Sequence, residues 1–416
     1  MERPKLHMNA TQELFSLGHL YPSDFLESGQ DPRSPPVELK MIMDTASKLV
    51  KLEQTAVKSS MYGRYWYRSG INPAMKRELE NIVTSTLSRM KIQTGDIWLD
   101  IACNDGTLLS YVPKNFVRIG VDPADDSFLS ESQLHADLVI QDFFSKKLLE
   151  KNHIKQKVKV ITCIAMFYDL ENPQEFLHDI HDVLDDGGLF ICQLSYTPLM
   201  IEQLAFDNIC HEHVFYYTLT TLKNMFNSQG LEIIDAELNT VNGGSIRVYA
   251  VKSPQTYKSS INQQYFDVGK MRVDSLLNYE KQQQYNSPEK WQSFYKQIQI
   301  LKKQTCEFVK EQVAQGKTIW AYGASTKGNT LLQYFGLDNT LINGIAERSE
   351  FKYGLRTVGT NIPIYNEQYM RQSQPDFLLV LPWHFIDVFV EREHNWLEQG
   401  GKFIVPCPKF EIIGLK

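Results

Sequence analysis

Trp98-Leu99-Asp100-Ile101-Ala102-Cys103-Asn104-Asp105-Gly106-Thr107 is the stretch that decides how this chain folds. Asp96 to Ile101 reads as a buried strand, the small and turn-forming residues after it break the strand, and Asp105-Gly106 opens a helix. Upstream, Met75 to Met90 carries apolar residues at helical spacing. Downstream, strands are expected at 118–121, 138–140, 158–164 and 188–193, each separated by a helix-capable stretch. Such alternation predicts an α/β fold with a parallel sheet and helices on both faces.

A second α/β unit begins at Thr318, where a strand ends at Gly323 and Gly328 to Phe335 reads as a helix. Further strands are expected at 342–346, 377–381 and 402–406. Between the two units, residues 253–315 are rich in Gln, Lys, Glu and Tyr with helical periodicity and read as connecting helices. Residues 1–75 hold the cluster Asp31-Pro32-Arg33-Ser34-Pro35-Pro36 and the aromatic group Tyr62, Tyr65, Trp66 and Tyr67, and read as a small irregular module. The expected domains are 1–74, 75–252 and 253–416. No repeat links the two α/β units, so the duplication is of type only.

At 416 residues two or three domains are expected. A net charge of −6 with interspersed signs gives no footprint for a phosphate backbone, which argues against nucleic acid. The six cysteines, Cys103, Cys163, Cys192, Cys210, Cys306 and Cys407, are scattered singly, as in a reduced cytosolic protein. No run approaches the roughly 20 apolar residues of a membrane span, and Met1-Glu2-Arg3-Pro4-Lys5 lacks an apolar leader. A cytoplasmic protein with no membrane partner is expected, and a monomer is compatible with the composition.

In an open α/β sheet, ligands bind beyond the carboxyl ends of the strands. The first loop, Ala102 to Gly106, matches neither GxGxxG nor GxxxxGK[ST], so a cofactor without phosphates is favoured. Asp122, at the tip of the second strand, suits a ribose. Asp142 and Phe143, after the third, suit an adenine amino group and its flat face. With Asp100, Asn104, Asp105 and Gly106, these residues read as an S-adenosylmethionine site. Taken singly, Asp122 reads equally well as a turn residue and Asp142 as a helix cap.

The segment Asp207-Asn208-Ile209-Cys210-His211-Glu212-His213-Val214-Phe215-Tyr216-Tyr217 packs two imidazoles, a carboxylate and two phenols together, as proton-transfer chemistry needs. His211 is expected to make a supporting hydrogen bond, and Tyr216 and Tyr217 to form core or pocket wall.

These motifs, with Asn242 to Val248, Tyr322-Gly323-Ala324-Ser325-Thr326-Lys327-Gly328-Asn329-Thr330, Gly359 to Ile364 and Pro375 to Trp383, carry a resemblance over nearly the whole chain. It resembles the S-adenosylmethionine-dependent C-methyltransferases that act on nucleotide-linked 4-keto deoxysugars. The resemblance implies a class I methyltransferase Rossmann-like domain, a Rossmann-like C-terminal domain and a small N-terminal zinc module. It also implies C3 methylation through an enolate, with His213 as base, Glu212 beside it, and Tyr67 reaching into the active site. Tyr65, Lys327 and Asn329 become substrate contacts. The corner at Gly323 suits a nucleotide diphosphate, and reads nearly as well as a structural turn with a solvated lysine.

Two departures stand out. No cysteine precedes Cys103, and Asp44 and Ser47 stand where the family has its second zinc pair, so no metal is expected. Cys210 replaces a tyrosine before His-Glu-His, and Asp169 stands where relatives carry a histidine. A sugar O-methyltransferase and a noncatalytic nucleotide-sugar-binding protein are the alternatives. A dehydrogenase is disfavoured by the glycine spacing after Gly323.

Overall fold

The computed structural model describes residues 10–56, 67–258 and 263–415. The chain opens with β1 (Thr11–Leu20), β2 (Phe25–Leu26), β3 (Val37–Asp44) and β4 (Val50–Leu52). β1, β3 and β4 form an antiparallel sheet, completed by residues Phe215–Tyr216 from far downstream. The N-terminal segment is therefore an ordered sheet and not the irregular module expected. Register shifts between Glu13 and Phe15 and between Ser16 and His19 break the period of two in β1, which hid the strand from pattern reading. At the end of β3, Asp44 Oδ1 accepts from Ser47 N at 2.6 Å, Ser47 Oγ at 2.7 Å and Ala46 N at 3.1 Å. This turn stands where the resembling family has zinc cysteines.

The central domain starts with helix Pro73–Arg89, whose first turn is set by Pro73 and capped by Asn72 Oδ1 accepting from Ala74 N. Its strands are β5 (Ile97–Ile101), β6 (Val117–Val121), β7 (Leu138–Ile140), β8 (Val158–Ile164), β9 (Leu184–Ser195), β10 (Phe215–Tyr216), β11 (Glu232–Asn239) and β12 (Ser245–Val251). All but β10 join one sheet in the order β11-β12-β9-β8-β5-β6-β7. β5 to β9 run parallel, while β12 and β11 are antiparallel. β5 is buried along its whole length, as a parallel strand covered on both faces must be.

The connecting helices divide between neighbours. Gln263–Gln283 lies along β11, while Pro288–Ala314 packs on β1 and contributes Trp291, Phe294 and Ile298 to the C-terminal core. The C-terminal domain holds β13 (Ile319–Tyr322), β14 (Ile345–Glu347), β15 (Arg356–Thr357), β16 (Ile364–Asn366), β17 (Phe377–Val380), β18 (Lys402–Val405) and β19 (Glu411–Ile413). Its sheet order is β16-β14-β13-β17-β18-β19, parallel except for β19. Both α/β units expected from sequence are thus present, with strand edges shifted by a few residues.

The N-terminal segment ties the two units together. β4 pairs with β10, β2 pairs with β15, and Gln333 bonds both the amide and the carbonyl of Tyr21. Among the described residues no helix is long and apolar enough to cross a membrane.

Candidate active site

The loop after β5 builds a cavity of about 210 Å³ at the carboxyl edge of the central sheet. Asp100, Asn104, Asp122, Asp142, Phe143 and Asp169 line it, with Tyr67 and Ser69 on the facing side. Asn104 takes a left-handed backbone (φ 52°), which asparagine tolerates better than most residues, and this aims its amide at the second strand. Asp122 Oδ2 accepts from Asn104 N at 2.8 Å and Oδ1 from Ala124 N at 2.8 Å, so the β6 carboxylate is fixed in place. Asp100 accepts from Thr162 Oγ1 at 2.7 Å. Its burial lifts the carboxyl to about 7, against the Thr162 hydrogen bond and helped by the charges of Asp122 and Asp105.

Residues 67–70 form a strap over the loop. Ser69 N donates to Asn104 Oδ1 at 3.0 Å, Gly70 N to Asp105 Oδ2 at 2.7 Å, and Asn104 Nδ2 to the Tyr67 carbonyl at 3.0 Å. Gly70 leaves little room for a side chain, since a Cβ there would stand 3.0 Å from Thr107 Oγ1 and 3.1 Å from Asp105 Oδ2. Two residues expected to face the cofactor shape the loop instead. Asp105 is buried, with Oδ1 accepting from Thr107 N and Oγ1, and Gly106 turns at φ 77° where a Cβ would lie 2.8 Å from Ser132 Cα. Neither lines the cavity.

This cavity suits S-adenosylmethionine. Its described wall is largely apolar and carries no lysine or arginine for a phosphate. It offers a fixed carboxylate for ribose hydroxyls, and Asp142 and Phe143 lie exposed at its rim.

The His-Glu-His segment lies against the wall beyond β8. His213 stands edge-on to Tyr168, with ring centroids 4.3 Å apart, and Val214 N donates to the Tyr168 carbonyl at 2.9 Å. His213 Nδ1 donates to the Asn208 carbonyl at 2.7 Å, which leaves the Nε2 lone pair available. Burial, and then the charge of Lys327, push the His213 imidazole down to about 3, so it is neutral at physiological pH. Burial lifts Glu212 to about 7. His211 is buried and bonded through Nε2 to the Val37 carbonyl at 3.0 Å, a tie to the N-terminal sheet.

Helix Thr326–Phe335 of the C-terminal domain, capped by Ser325 Oγ accepting from Gly328 N, packs against residues 206–208. It places Lys327 where its charge acts on Asp207, Cys210, His213 and His384. Asp207 is itself buried and accepts from Trp383 Nε1 at 3.2 Å across the domain boundary. Both α/β units therefore contribute to one site.

A family model described as a methyltransferase domain matches residues 74–236, and one described as the C-methyltransferase C-terminal domain matches residues 240–408. The chain is an S-adenosylmethionine-dependent methyltransferase, and its C-terminal portion is similar to that of C-methyltransferases. C-methyltransferase NovU of Streptomyces niveus is 26% identical over 369 residues, covering 88% of this chain and 85% of that protein. Solved structures align over about two fifths of the chain. The plantazolicin methyltransferase BpumL with SAH is 14% identical with a TM-score of 0.34, covering 44% of this chain and 86% of that one. Magnesium protoporphyrin IX methyltransferase of Synechocystis with bound SAM is 12% identical with a TM-score of 0.31, covering 43% and 79%.

In this methyltransferase, Tyr67 lines the cavity and is 41% exposed as a residue, while its hydroxyl is held above the ordinary phenol range by desolvation and by the charge of Asp105. Tyr65 lies outside the described residues. Lys327 is half-buried beside the His-Glu-His segment, and burial lowers its ammonium from the ordinary value. Asn329 is a correction. It is 1% exposed, and its Nδ2 donates to Ser23 Oγ at 2.8 Å and to the Asp24 carbonyl at 3.2 Å, binding the N-terminal segment and not facing the site. Sequence reading missed His384 and the Asp207–Trp383 bond, because partners 176 residues apart leave no local signal.

Proposed function

We propose that the enzyme methylates C3 of a nucleotide-linked 4-keto deoxysugar through an enolate. The observation that carries this reading is the pairing, beside the cofactor cavity, of a half-buried carboxyl raised to about 7 with a neutral imidazole. A proton next to a ketone is removed best by a base whose conjugate acid titrates near the working pH. Glu212, at about 7 against about 3 for His213, is the stronger base and takes the α-proton. His213, with Nε2 unprotonated, accepts from a sugar hydroxyl and orients the ring. Tyr67 remains protonated and acts only as a donor. S-adenosylmethionine, held by Asn104, Asp122, Asp142 and Phe143, supplies an electrophilic methyl group. Lys327 lies on the sugar side, and the C-terminal domain is the expected holder of the nucleotide.

The reading is tested with the purified protein and a panel of 4-keto sugar nucleotides. One methyl on carbon, together with exchange of the α-proton in deuterium oxide, is the expected result. A methyl resonance at the shift of an O-methyl, without any exchange, would replace it with hydroxyl methylation.

A further inference from the structure

Asp169 ends the 3-10 turn Phe167–Asp169 that follows β8, and it lines the wall of the cofactor cavity. Its Oδ1 is shut off from solvent and has no hydrogen-bond partner. Among the described residues no lysine, arginine or histidine pairs with it, and the charge that acts on it is a like one, Glu212. A buried carboxylate with no cation and a carboxylate neighbour is strongly disfavoured, and the group keeps its proton. Other groups packed round it are weak acids that feel its charge: Cys163, Cys210, Tyr216 and Tyr217. None of these supplies the missing positive charge.

We propose that Asp169 is a neutral carboxylic acid that donates its hydrogen bond to the substrate oxygen on which negative charge develops, opposite in role to the base Glu212. The assignment rests on the enolate reading above. Two neighbouring carboxyls whose environments separate their proton affinities divide into an acid and a base. Asp169 lines the cavity, where its carboxyl can meet a substrate oxygen. In the step itself the α C–H bond breaks and the proton passes to Glu212. The bonding pair becomes the enolate double bond, and the carbonyl π pair moves to oxygen, where Asp169 O–H donates. Reversal returns a solvent-derived proton to carbon, so exchange reports the step without methyl transfer. A preorganised donor to such an oxyanion contributes about 10²- to 10³-fold.

The test compares Asp169→Asn and Asp169→Ala with the full-length parent, using a 4-keto sugar nucleotide in deuterium oxide with S-adenosylhomocysteine present. Asparagine is neutral and can donate, so D169N is expected to keep exchange within about tenfold of the parent. D169A is expected to lose about 100-fold. Both variants should show the parent's far-UV circular dichroism and a cooperative melting transition, which establishes that they are folded. If D169N is as slow as D169A, the carboxylate form is needed and the neutral-acid role is overturned. Parental exchange in D169A overturns any donor role. If the parent itself shows no exchange, the enolate reading fails first, and it takes this assignment with it.

Discussion

Glu212 and His213 are adjacent, yet burial drives them in opposite senses because it penalises whichever form is charged. The residue types alone suggested His213 as base, since an unperturbed imidazole titrates nearest neutrality. In the function proposed here, enclosure reverses the order. The activity consequence has a definite sign: kcat/KM should fall tenfold per unit as pH drops below about 7, where Glu212 becomes protonated. Stability runs the other way. A carboxyl raised from 4.5 to about 7 by folding stabilises the native state fully below 4.5, and this contribution is lost as pH rises to about 7. Glu212→Gln should therefore abolish α-proton exchange, and its stability relative to the parent should be higher at pH 8 than at pH 4 by on the order of 3 kcal/mol. Urea unfolding of parent and variant at the two pH values checks this, and a variant equally destabilised at both would contradict it.

At the level of elements, the cofactor loop and the strap 67–70 hold one another. Asn104 both accepts from Ser69 and donates to Tyr67, and Asp105 accepts from Gly70, so two residues adjacent in the loop anchor one short segment. Gly70→Ala brings a methyl within about 3 Å of the Asp105 and Thr107 side chains, which displaces the strap or the loop carboxylate it bonds. The expected outcome is a loss of affinity for S-adenosylhomocysteine of about tenfold, equivalent to about 1.4 kcal/mol, with little change in melting temperature. Calorimetric titration measures it. Unchanged affinity would mean that the strap does not contribute to the cavity wall. The loop itself was legible in the sequence, because strand, turn and helix start within ten residues of each other. The strap was not, because its partners are 35 residues away.

For the whole molecule, the N-terminal segment is the piece that joins the others. It supplies strands to two different partners, and Asn329 closes the junction by bonding Ser23 and Asp24. Asn329→Ala removes two donors from a buried site and should destabilise the protein by about 1–3 kcal/mol without raising KM for the sugar nucleotide. A substrate contact would instead raise KM and leave the melting temperature alone, so the two measurements together decide.

The alternation of strand and helix, the phosphate-free cofactor loop with Asp122, and the resemblance that names the chemistry are local or ordered along the chain, and the sequence by itself determined them. Periodicity and turn chemistry act over a few residues, so they survive without the fold. The tertiary structure alone decided that β1 is a bulged strand, that Asp105 and Gly106 face inward, that Asn329 is structural, and that Lys327 and Trp383 cross to the other domain. It also placed Glu212 and His213 where burial moves their proton affinities in opposite senses. Desolvation depends on what packs around a group, and no pattern within eleven residues of sequence contains that.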